Sequence, residues 1–545
     1  MTMELLRVPQ SRKTPAPRAQ GMARQVVGRG EIRHFPTSAV RDAIAHDITA
    51  RDIAAREAAP AGDAGRALAP SSPPVSMRVV GGLLCFGDAA MALLTGIITL
   101  QLVGPDLPKP AEYYILVSLL GALAFVNTLY VAGVYRPAVL RRSSLPIMQV
   151  ALSWCLATGV TVVAMAVSGV SLAANTTWLL LWLTIGLFMP LVSRAILAAR
   201  VDGWRHAGRL QRRIAVFGTG PIGQHLLRKL SVLTEHDDSR VVGVYDERLS
   251  RLPDHCMGHR IQGDIDHLLD EARKGRIDGV IVALPLAADR RVTAVVDRLR
   301  NAAIDIGVCL DQYGFQASGP DIAAGDGDTL AGVPVFWVER RPLRDWRGIA
   351  KEVEDRLFAA FVLVLIAPVL ATIALLIKLD SPGPVLFKQK RHGYNNRLIE
   401  VFKFRTMYHH ARDENAERQT SRDDPRVTRI GRILRRTSLD ELPQFFNVLR
   451  GDMSVVGPRP HALAAKAGGL LYQEAVENYD QRHRMKPGIT GWAQVSGWRG
   501  ETAAVEQIEQ RVRHDLYYID NWSIMMDAKI ILRTMTSGFT GENAY

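Results

Sequence analysis

The decapeptide Arg435-Arg436-Thr437-Ser438-Leu439-Asp440-Glu441-Leu442-Pro443-Gln444 sets two adjacent carboxylates after two adjacent guanidinium groups. Proline has no N–H and its ring strikes the preceding turn, so Pro443 does not lie deep in a helix. In a first turn it is harmless, because those N–H groups have no intrahelical partner. The stretch therefore predicts a helix that starts near Ser438 to Glu441 and runs on through residues 444–449. Asp440 and Glu441 would then sit at the positive end of a helix dipole, which keeps carboxylates ionised and attracts phosphate. An ionised aspartate beside phosphate-binding arginines is a candidate nucleophile towards phosphorus, as in aspartyl-phosphate enzymes. A capping acid paired with a nearby arginine gives the same pattern, and these ten residues leave both readings open.

Around this stretch, cations are held by rigid turns. Lys403-Phe404-Arg405-Thr406-Met407 alternates as a strand does, which sets Lys403 and Arg405 on one face. Asp424-Pro425-Arg426 precedes Gly431 and a helical stretch to Arg436, with Arg432 and Arg436 one turn apart. In Gly457-Pro458-Arg459-Pro460, two prolines hold Arg459 in an extended loop suited to fork-like contact with phosphate. Lys486-Pro487-Gly488 makes a further rigid basic turn. Near the end, Tyr517-Tyr518-Ile519-Asp520-Asn521-Trp522 leads into an amphipathic stretch over 524–535. A helix on a membrane surface and a packed core helix both fit it.

Upstream, residues 357–377 form an apolar run with Pro368 in its middle. Its length permits a membrane span, and proline is tolerated in membrane helices. Both flanks are basic, however: Arg344, Arg347, Lys351 and Arg356 before, then Lys378, Lys388, Lys390 and Arg391 after. A helix that bends at Pro368, dips in and returns keeps both flanks on one side, so the re-entrant form is expected over a spanning one. Four further apolar segments, about 79–102, 113–134, 146–169 and 177–199, are each long enough to cross a hydrocarbon core of roughly 30 Å. The N-terminal tail, the 135–145 connection and the exit after Arg200 are basic, whereas 103–112 and 170–176 are not. The positive-inside rule places the basic connections in the cytoplasm. Asp88, inside the first segment, is costly in lipid and is expected to face another helix.

Between these membrane segments, Arg213-Ile214-Ala215-Val216-Phe217 reads as a buried strand. Gly218-Thr219-Gly220-Pro221-Ile222-Gly223 follows, then a helical pattern, then the strand Val241-Val242-Gly243-Val244-Tyr245 ending at Asp246. Strand, glycine turn, helix, strand and acid make a dinucleotide fingerprint in its expected context. Gly218, Gly220, Gly223 and Asp246 are candidate nucleotide contacts. The same glycines also serve a tight turn and close helix packing with no ligand. A nucleotide-sugar redox enzyme of the short-chain kind would need a Tyr-x-x-x-Lys pair, and no tyrosine in this chain has a lysine four residues on.

The whole chain has 545 residues, a net charge of +13 and 48% hydrophobic residues, the last concentrated in runs. That length suggests several domains. The positive balance suits anionic lipid or phosphorylated substrates. Arginine is scattered through loops rather than gathered with aromatics, so nucleic acid is not expected as a partner. Cys85, Cys155, Cys256 and Cys309 show neither CxxC spacing nor a disulfide framework. Residues 1–76 are rich in Arg, Ala, Pro and Gly, and read as a basic, mostly disordered tail with a short helix over 37–57.

Taken in order, KFRTM at 403–407, RRTSLDELPQ at 435–444, VVGPRP at 455–460 and KPGITGWAQVSG at 486–497 resemble the bacterial sugar transferase family. These are polyprenyl-phosphate hexose-1-phosphate transferases, also called monotopic phosphoglycosyl transferases. All but the tail is similar to the large, undecaprenyl-phosphate glucose phosphotransferase-like subgroup. The resemblance implies a membrane protein, α plus α/β. It would have four transmembrane helices over 77–200, a Rossmann-like parallel-sheet domain over 210–342, a re-entrant membrane helix over 350–379 and an α/β monotopic catalytic domain over 380–545. It implies transfer of a hexose-1-phosphate from a UDP-sugar to undecaprenyl phosphate, with UMP released and Mg2+ as cofactor. UDP-glucose is the expected donor and UDP-galactose the alternative. Asp440 would attack the β-phosphorus and hold a covalent phosphosugar. Glu441 would help place the metal, and Lys403, Arg405, Arg436 and Arg459 would hold substrate phosphates. The family commonly has Ser-Pro at the bend of its anchor, where this chain has Ala367-Pro368. The setting implied is the bacterial inner membrane, with the catalytic domain facing the cytoplasm, at the first membrane step of exopolysaccharide or capsule synthesis. A homo-oligomer is compatible with the sequence. Two rival readings stay open: a membrane-tethered nucleotide-sugar redox enzyme, and a non-catalytic regulator whose Rossmann-like domain senses nucleotide.

Overall fold

The computed structural model describes residues 74–537, apart from 105–106, 142–145, 233–238, 250–252, 286–287, 310–328, 331–332, 412–423, 468, 499 and 501–503. The basic stretch 1–73, with the helix expected over 37–57, lies outside the described residues, as does Arg142.

The first four apolar segments are helices: α1 (Met77–Val103), α2 (Ala111–Val131), α3 (Ile147–Val167) and α4 (Thr176–His206). Each is long and apolar enough to cross a membrane. Their inner faces meet around Tyr114, Phe125, Trp154, Trp178 and Trp182, all fully buried. The Trp178 and Trp182 rings stack with centroids 5.6 Å apart. Small residues make room for these rings. A Cβ on Gly186 would lie 2.1 Å from Trp154, and one on Gly121 would lie 2.4 Å from Trp182. Outward positions such as Phe86, Leu116, Leu123 and Val163 are apolar and exposed, which suits lipid rather than water.

Asp88 pairs with Arg194 of α4 through two bonds of 2.6 and 2.7 Å, and the Tyr135 hydroxyl donates to it at 2.8 Å. The acid in the first segment thus faces another helix, where its partner's side chain is 3% exposed. Removing one member of a buried pair leaves an uncompensated charge and costs about 3–5 kcal/mol. Asp88→Ala is therefore expected to lower the thermal midpoint in detergent, and Asp88→Ala with Arg194→Leu to recover most of the loss. A double variant as unstable as the single one would show that the charge is not what matters.

After α4 the chain builds a sheet of order β3-β4-β2-β1-β5-β6-β8-β7. Its strands are β1 (Arg212–Phe217), β2 (Ser239–Tyr245), β3 (His255–Cys256), β4 (His259–Gly263), β5 (Gly279–Val282), β6 (Asp305–Cys309), β7 (Thr329–Leu330) and β8 (Val333–Glu339). Strands β4, β2, β1, β5 and β6 run parallel, and β8 turns back against β6. The helices Pro221–Val232, Ile265–Arg273 and Asp289–Leu299, called α5, α6 and α7, connect them. Both faces of the sheet are covered, which is why β1, β5 and β6 read as unbroken apolar runs. At the β1–α5 turn Gly218 has φ +111, and a Cβ on Gly223 would lie 2.0 Å from the Gly218 carbonyl oxygen.

The last part of the chain begins with α8 (Asp345–Asp380), a 36-residue helix with Pro368 inside it. Leu357, Phe361, Val364 and Leu365 on its middle turns are exposed. Its two ends pack on the same α/β domain. Ala359 joins a core with Val401, Val448, Met453, Tyr518 and Ile530. Ile373 and Ile377 join another with Phe404 and Leu434. That domain carries the antiparallel pair β9 (Leu386–His392) and β10 (Leu398–Phe404), then α9 (Arg429–Arg436), α10 (Gln444–Arg450) and β11 (Ser454–Val456). It ends with α11 (Val505–Asp520) and α12 (Ile524–Ser537). In α12, Asp527 and Ile530 are fully buried while Met525 and Leu532 are exposed together with Lys529 and Arg533, so one face is core and the other mixes apolar and basic side chains.

The parallel-sheet domain is bolted to this one. The Asn395 side chain donates to the Ala272 carbonyl at 2.9 Å and accepts from the Ala303 N–H at 3.0 Å. Ion pairs join Arg273 to Asp480 at 3.0 Å and Arg484 to Glu339 at 2.6 Å.

Candidate active site

The chain leaves α9 at Arg436 and turns at Ser438, which takes a left-handed φ of 56. Residues Leu439–Glu441 form one 3-10 turn, Pro443 caps the next helix, and α10 starts at Gln444. The helix expected to begin at Ser438 to Glu441 thus begins later. Pro443, lacking an N–H, fits the cap and leaves the carboxylate pair in the turn before it. Burial and nearby cations, not a helix dipole, set the charge state of the pair.

Glu441 is clamped. Arg459 donates to both its oxygens, at 2.6 and 3.1 Å, and Lys403 donates to Oε1 at 2.9 Å. Burial would raise its pKa, but Arg459 and Lys403 hold it well below the usual carboxylate range. Asp440, next to it, accepts no hydrogen bond among the described residues. Burial pushes its pKa up to about 6, against the charge of Lys403 and with the help of Glu441. At pH 7 Asp440 is mostly ionised, poorly solvated and uncommitted, which favours attack on an electrophile.

The structure brings Lys403 and Arg459 to the pair, but not Arg405 or Arg436. β10 ends at Phe404, and although the Arg405 N–H still donates to the Val385 carbonyl at 2.9 Å, its side chain is buried away from the pair. The buried Arg405 guanidinium donates instead to the carbonyls of Ser381 and Pro382 at 2.6 and 2.9 Å, at the end of α8. Helix ends leave such carbonyls without partners, and an arginine fork satisfies them. Arg436 is exposed, whereas the charge of the half-buried Arg435 acts on Asp440. The order of the two arginines in sequence does not say which one turns inward.

Two further cations brace the site, Arg482, which the sequence did not single out, and Arg391, which it gave only as part of a basic flank. Arg482 is almost fully buried and donates to the Arg459 carbonyl at 2.7 Å and to Asp515 at 2.6 Å. It also donates to His461 Nδ1 at 2.6 Å, and burial together with Arg482 holds that imidazole well below its usual value. Arg391 donates to the Pro460 carbonyl at 3.0 Å, with its pKa pushed down to about 10 by burial and by Arg459. The proline-framed loop is thus braced from both sides of Arg459. Neither arginine sits in a patterned turn, so local sequence gives no sign that either braces the Arg459 loop.

Asp246 differs from the sequence expectation. It is fully buried and accepts from the Thr219 N–H and hydroxyl at 2.9 and 2.8 Å, and from Arg248 through N–H, Nε and Nη2. A carboxylate offers about four lone-pair sites. Its own chain therefore fills Asp246, leaving nothing for ribose hydroxyls unless Arg248 moves away.

Among the described residues no group of three or more His, Cys, Asp or Glu could by itself hold a metal ion. Mg2+, however, usually needs only one or two protein carboxylates and takes its other ligands from phosphates and water. Glu441 Oε2 accepts one bond, against two at Oε1, so it keeps room for such a contact.

A carboxylate pair recessed among cations, on a domain fastened to an apolar helix, defines a membrane-associated protein whose site suits phosphorylated ligands. Residues 346–541 match the model of the bacterial sugar transferase family, and residues 130–309 match that of a CoA-binding domain. The UDP-glucose:undecaprenyl-phosphate glucose-1-phosphate transferase of Escherichia coli K12 is 40% identical over 344 residues, 63% of this chain and 71% of that protein. The protein of the same name from Klebsiella pneumoniae is 39% identical over 357 residues, 65% and 73% of the two chains. An undecaprenyl-phosphate glucose phosphotransferase of Komagataeibacter xylinus is 40% identical over 365 residues, 67% of this chain and 66% of the relative. The chain belongs to the bacterial sugar transferase family, and it is an enzyme of the transferase class.

Proposed function

We propose that this protein moves a hexose-1-phosphate, glucose-1-phosphate first among the candidates, from a UDP-sugar to undecaprenyl phosphate. The observation that carries the reading is the uncommitted Asp440 carboxylate beside a Glu441 held by Arg459 and Lys403. Asp440 attacks the β-phosphorus, the bond from that phosphorus to the bridging oxygen breaks, and UMP departs with the electron pair. A phosphate oxygen of the lipid then attacks the same phosphorus and the Asp440 carboxylate leaves, so every charge returns to its starting place. Lys403, Arg435 and Arg459 neutralise the phosphates as they come together. Glu441 fixes two of these cations and, with the donor's phosphates, would hold a Mg2+ ion, which supplies further charge neutralisation when bound.

The α8 helix suits the lipid acceptor. Both its ends pack on the same domain, which supports the re-entrant form, with the site at headgroup level on the cytoplasmic face of the inner membrane. Basic flanks near an anionic surface contribute roughly 1 kcal/mol for each cation. The product would start an exopolysaccharide or capsular repeat. UDP-galactose differs from UDP-glucose by one hydroxyl orientation and is the second donor to try.

The test is UMP release from UDP-glucose by the purified full chain, with and without polyprenyl phosphate. Release that depends on the lipid is expected. The reading fails if UDP-glucose, UDP-galactose and other UDP-sugars all stay intact, or if a nicotinamide cofactor is consumed instead. The filled lone pairs of Asp246 and the missing Tyr-x-x-x-Lys pair argue against redox chemistry.

A further inference from the structure

Arg459 has two sides. One forks onto Glu441, and the other lines a pocket with Arg482, Gln494, Trp498, Arg511 and Asp515. The charges in this pocket do not balance. Arg482 is paired with Asp515 at 2.6 Å and Arg459 with Glu441 at 2.6 Å. Arg511 donates to the Gly500 carbonyl but forms no ion pair among the described residues. Its Nε atom is buried without a partner. Burial lowers its pKa, with Arg459 and Arg482 adding to the effect, so a further anion there would be stabilised. A second polar atom, Gln494 Oε1, is also buried with no donor to accept from. Buried polar groups are nearly always satisfied, and two orphans that line the same pocket suit a ligand that brings an acceptor and a donor. The half-buried indole of Trp498 offers a flat apolar face at the same place.

We propose that this pocket takes the uridine monophosphate half of the donor and that Gln494 and Arg511 select it, an inference that rests on the transfer reaction above. The donor's two halves differ in chemistry. The hexosyl group is neutral, whereas the nucleotide half carries the α-phosphate next to the phosphorus that Asp440 attacks. With the β-phosphate at the carboxylate pair, Arg459 spans both phosphates and Arg511 receives the second. The uracil edge presents one imide N–H between two carbonyls. It donates to Gln494 Oε1 and accepts from that side chain's amide, while the ring lies on Trp498. Cytosine has an acceptor where uracil has the imide N–H, so it pairs with Gln494 only if that amide turns over and exchanges Oε1 for Nε2.

The experiment uses the full chain in detergent or nanodiscs with UMP and CMP as probes. Their binding is measured directly by calorimetry and, separately, as inhibition of transfer. Wild-type protein should prefer UMP over CMP by up to about tenfold, because CMP requires the Gln494 amide to turn over. Gln494→Ala should erase that preference and raise both the KM for the UDP-sugar and the Ki for UMP about tenfold, leaving the KM for polyprenyl phosphate unmoved. Arg511→Lys, which keeps the charge but not the fork, should weaken UMP and CMP alike. A higher donor KM with unchanged UMP binding would put the hexose in the pocket and overturn the proposal. A higher KM for polyprenyl phosphate alone would assign the pocket to the acceptor and overturn it too, as would a wild-type protein that binds neither nucleotide. If no UDP-sugar is turned over but UMP still binds in a Gln494-dependent way, the pocket stands and the reaction falls.

Discussion

Asp440→Asn is expected to lower polyprenyl-phosphate-dependent UMP release by at least roughly a thousandfold, while the protein stays folded and in the membrane. The amide has nearly the same shape but no charge and little nucleophilicity. No hydrogen bond among the described residues depends on Asp440, so its loss strains nothing. A pH profile gives an independent reading of the same atom. With its pKa pushed up to about 6 by burial, Asp440 is protonated and inactive below that pH. The sign therefore runs one way. The rate should rise about tenfold per pH unit below pH 6 and level off above it. Glu441, held far lower by Arg459 and Lys403, stays ionised throughout and adds no second limb in this range. Trapping the wild-type protein with labelled donor should place sugar-phosphate mass on Asp440. Full activity in Asp440→Asn would end the nucleophile assignment.

Much of this architecture is legible in sequence because its signals are local. The apolar runs are long, the glycine turn stands between two strands, and the prolines around Arg459 leave its loop few conformations. These features depend on neighbours in the chain. The misses share a different cause. Strand period sets Arg405 beside Lys403, but the arginine goes to the open carbonyls of Ser381 and Pro382 just past the end of α8. Arg435 and Arg436 differ only in which way a short helix end turns. Arg482 reaches Asp515 across 33 residues, and Arg391 reaches Pro460 across 69. Pairings that close only on folding leave no periodic trace. The same holds for Asp246, whose fingerprint position is real but whose lone pairs are filled by Thr219 and Arg248. A sequence pattern can say where an acid lies, not whether its own chain has already occupied it.

Lys351→Ala is expected to be the most destabilising single change in the α/β domain. The Lys351 ammonium lies between Asp355 at 2.9 Å and Asp527 at 2.7 Å, with all three side chains at most 7% exposed. Asp355 also accepts from the Ser454 hydroxyl at 2.8 Å and the Val455 N–H at 2.9 Å. Asp527 accepts from Tyr518 at 2.7 Å and Trp522 at 3.0 Å. One cation thus ties the foot of α8 to β11 and to both closing helices. Without it two buried carboxylates face each other with no counter-charge, a loss of about 3–5 kcal/mol. Thermal unfolding in detergent should show it as a lower midpoint. The proposed anchor should loosen with it, since Ala359 lies two turns further along α8 in the same core as Tyr518 and Ile530. A second variant separates charge from packing. Lys351→Met with Asp527→Asn removes one charge of each sign, fills the space of the lysine stem and keeps an acceptor for Tyr518. It should recover part of the loss, because one buried carboxylate rather than two is left without its cation. If Lys351→Ala melts with the wild type, the three residues are not what fastens the apolar helix, and the case for a site held at headgroup level loses its mechanical support.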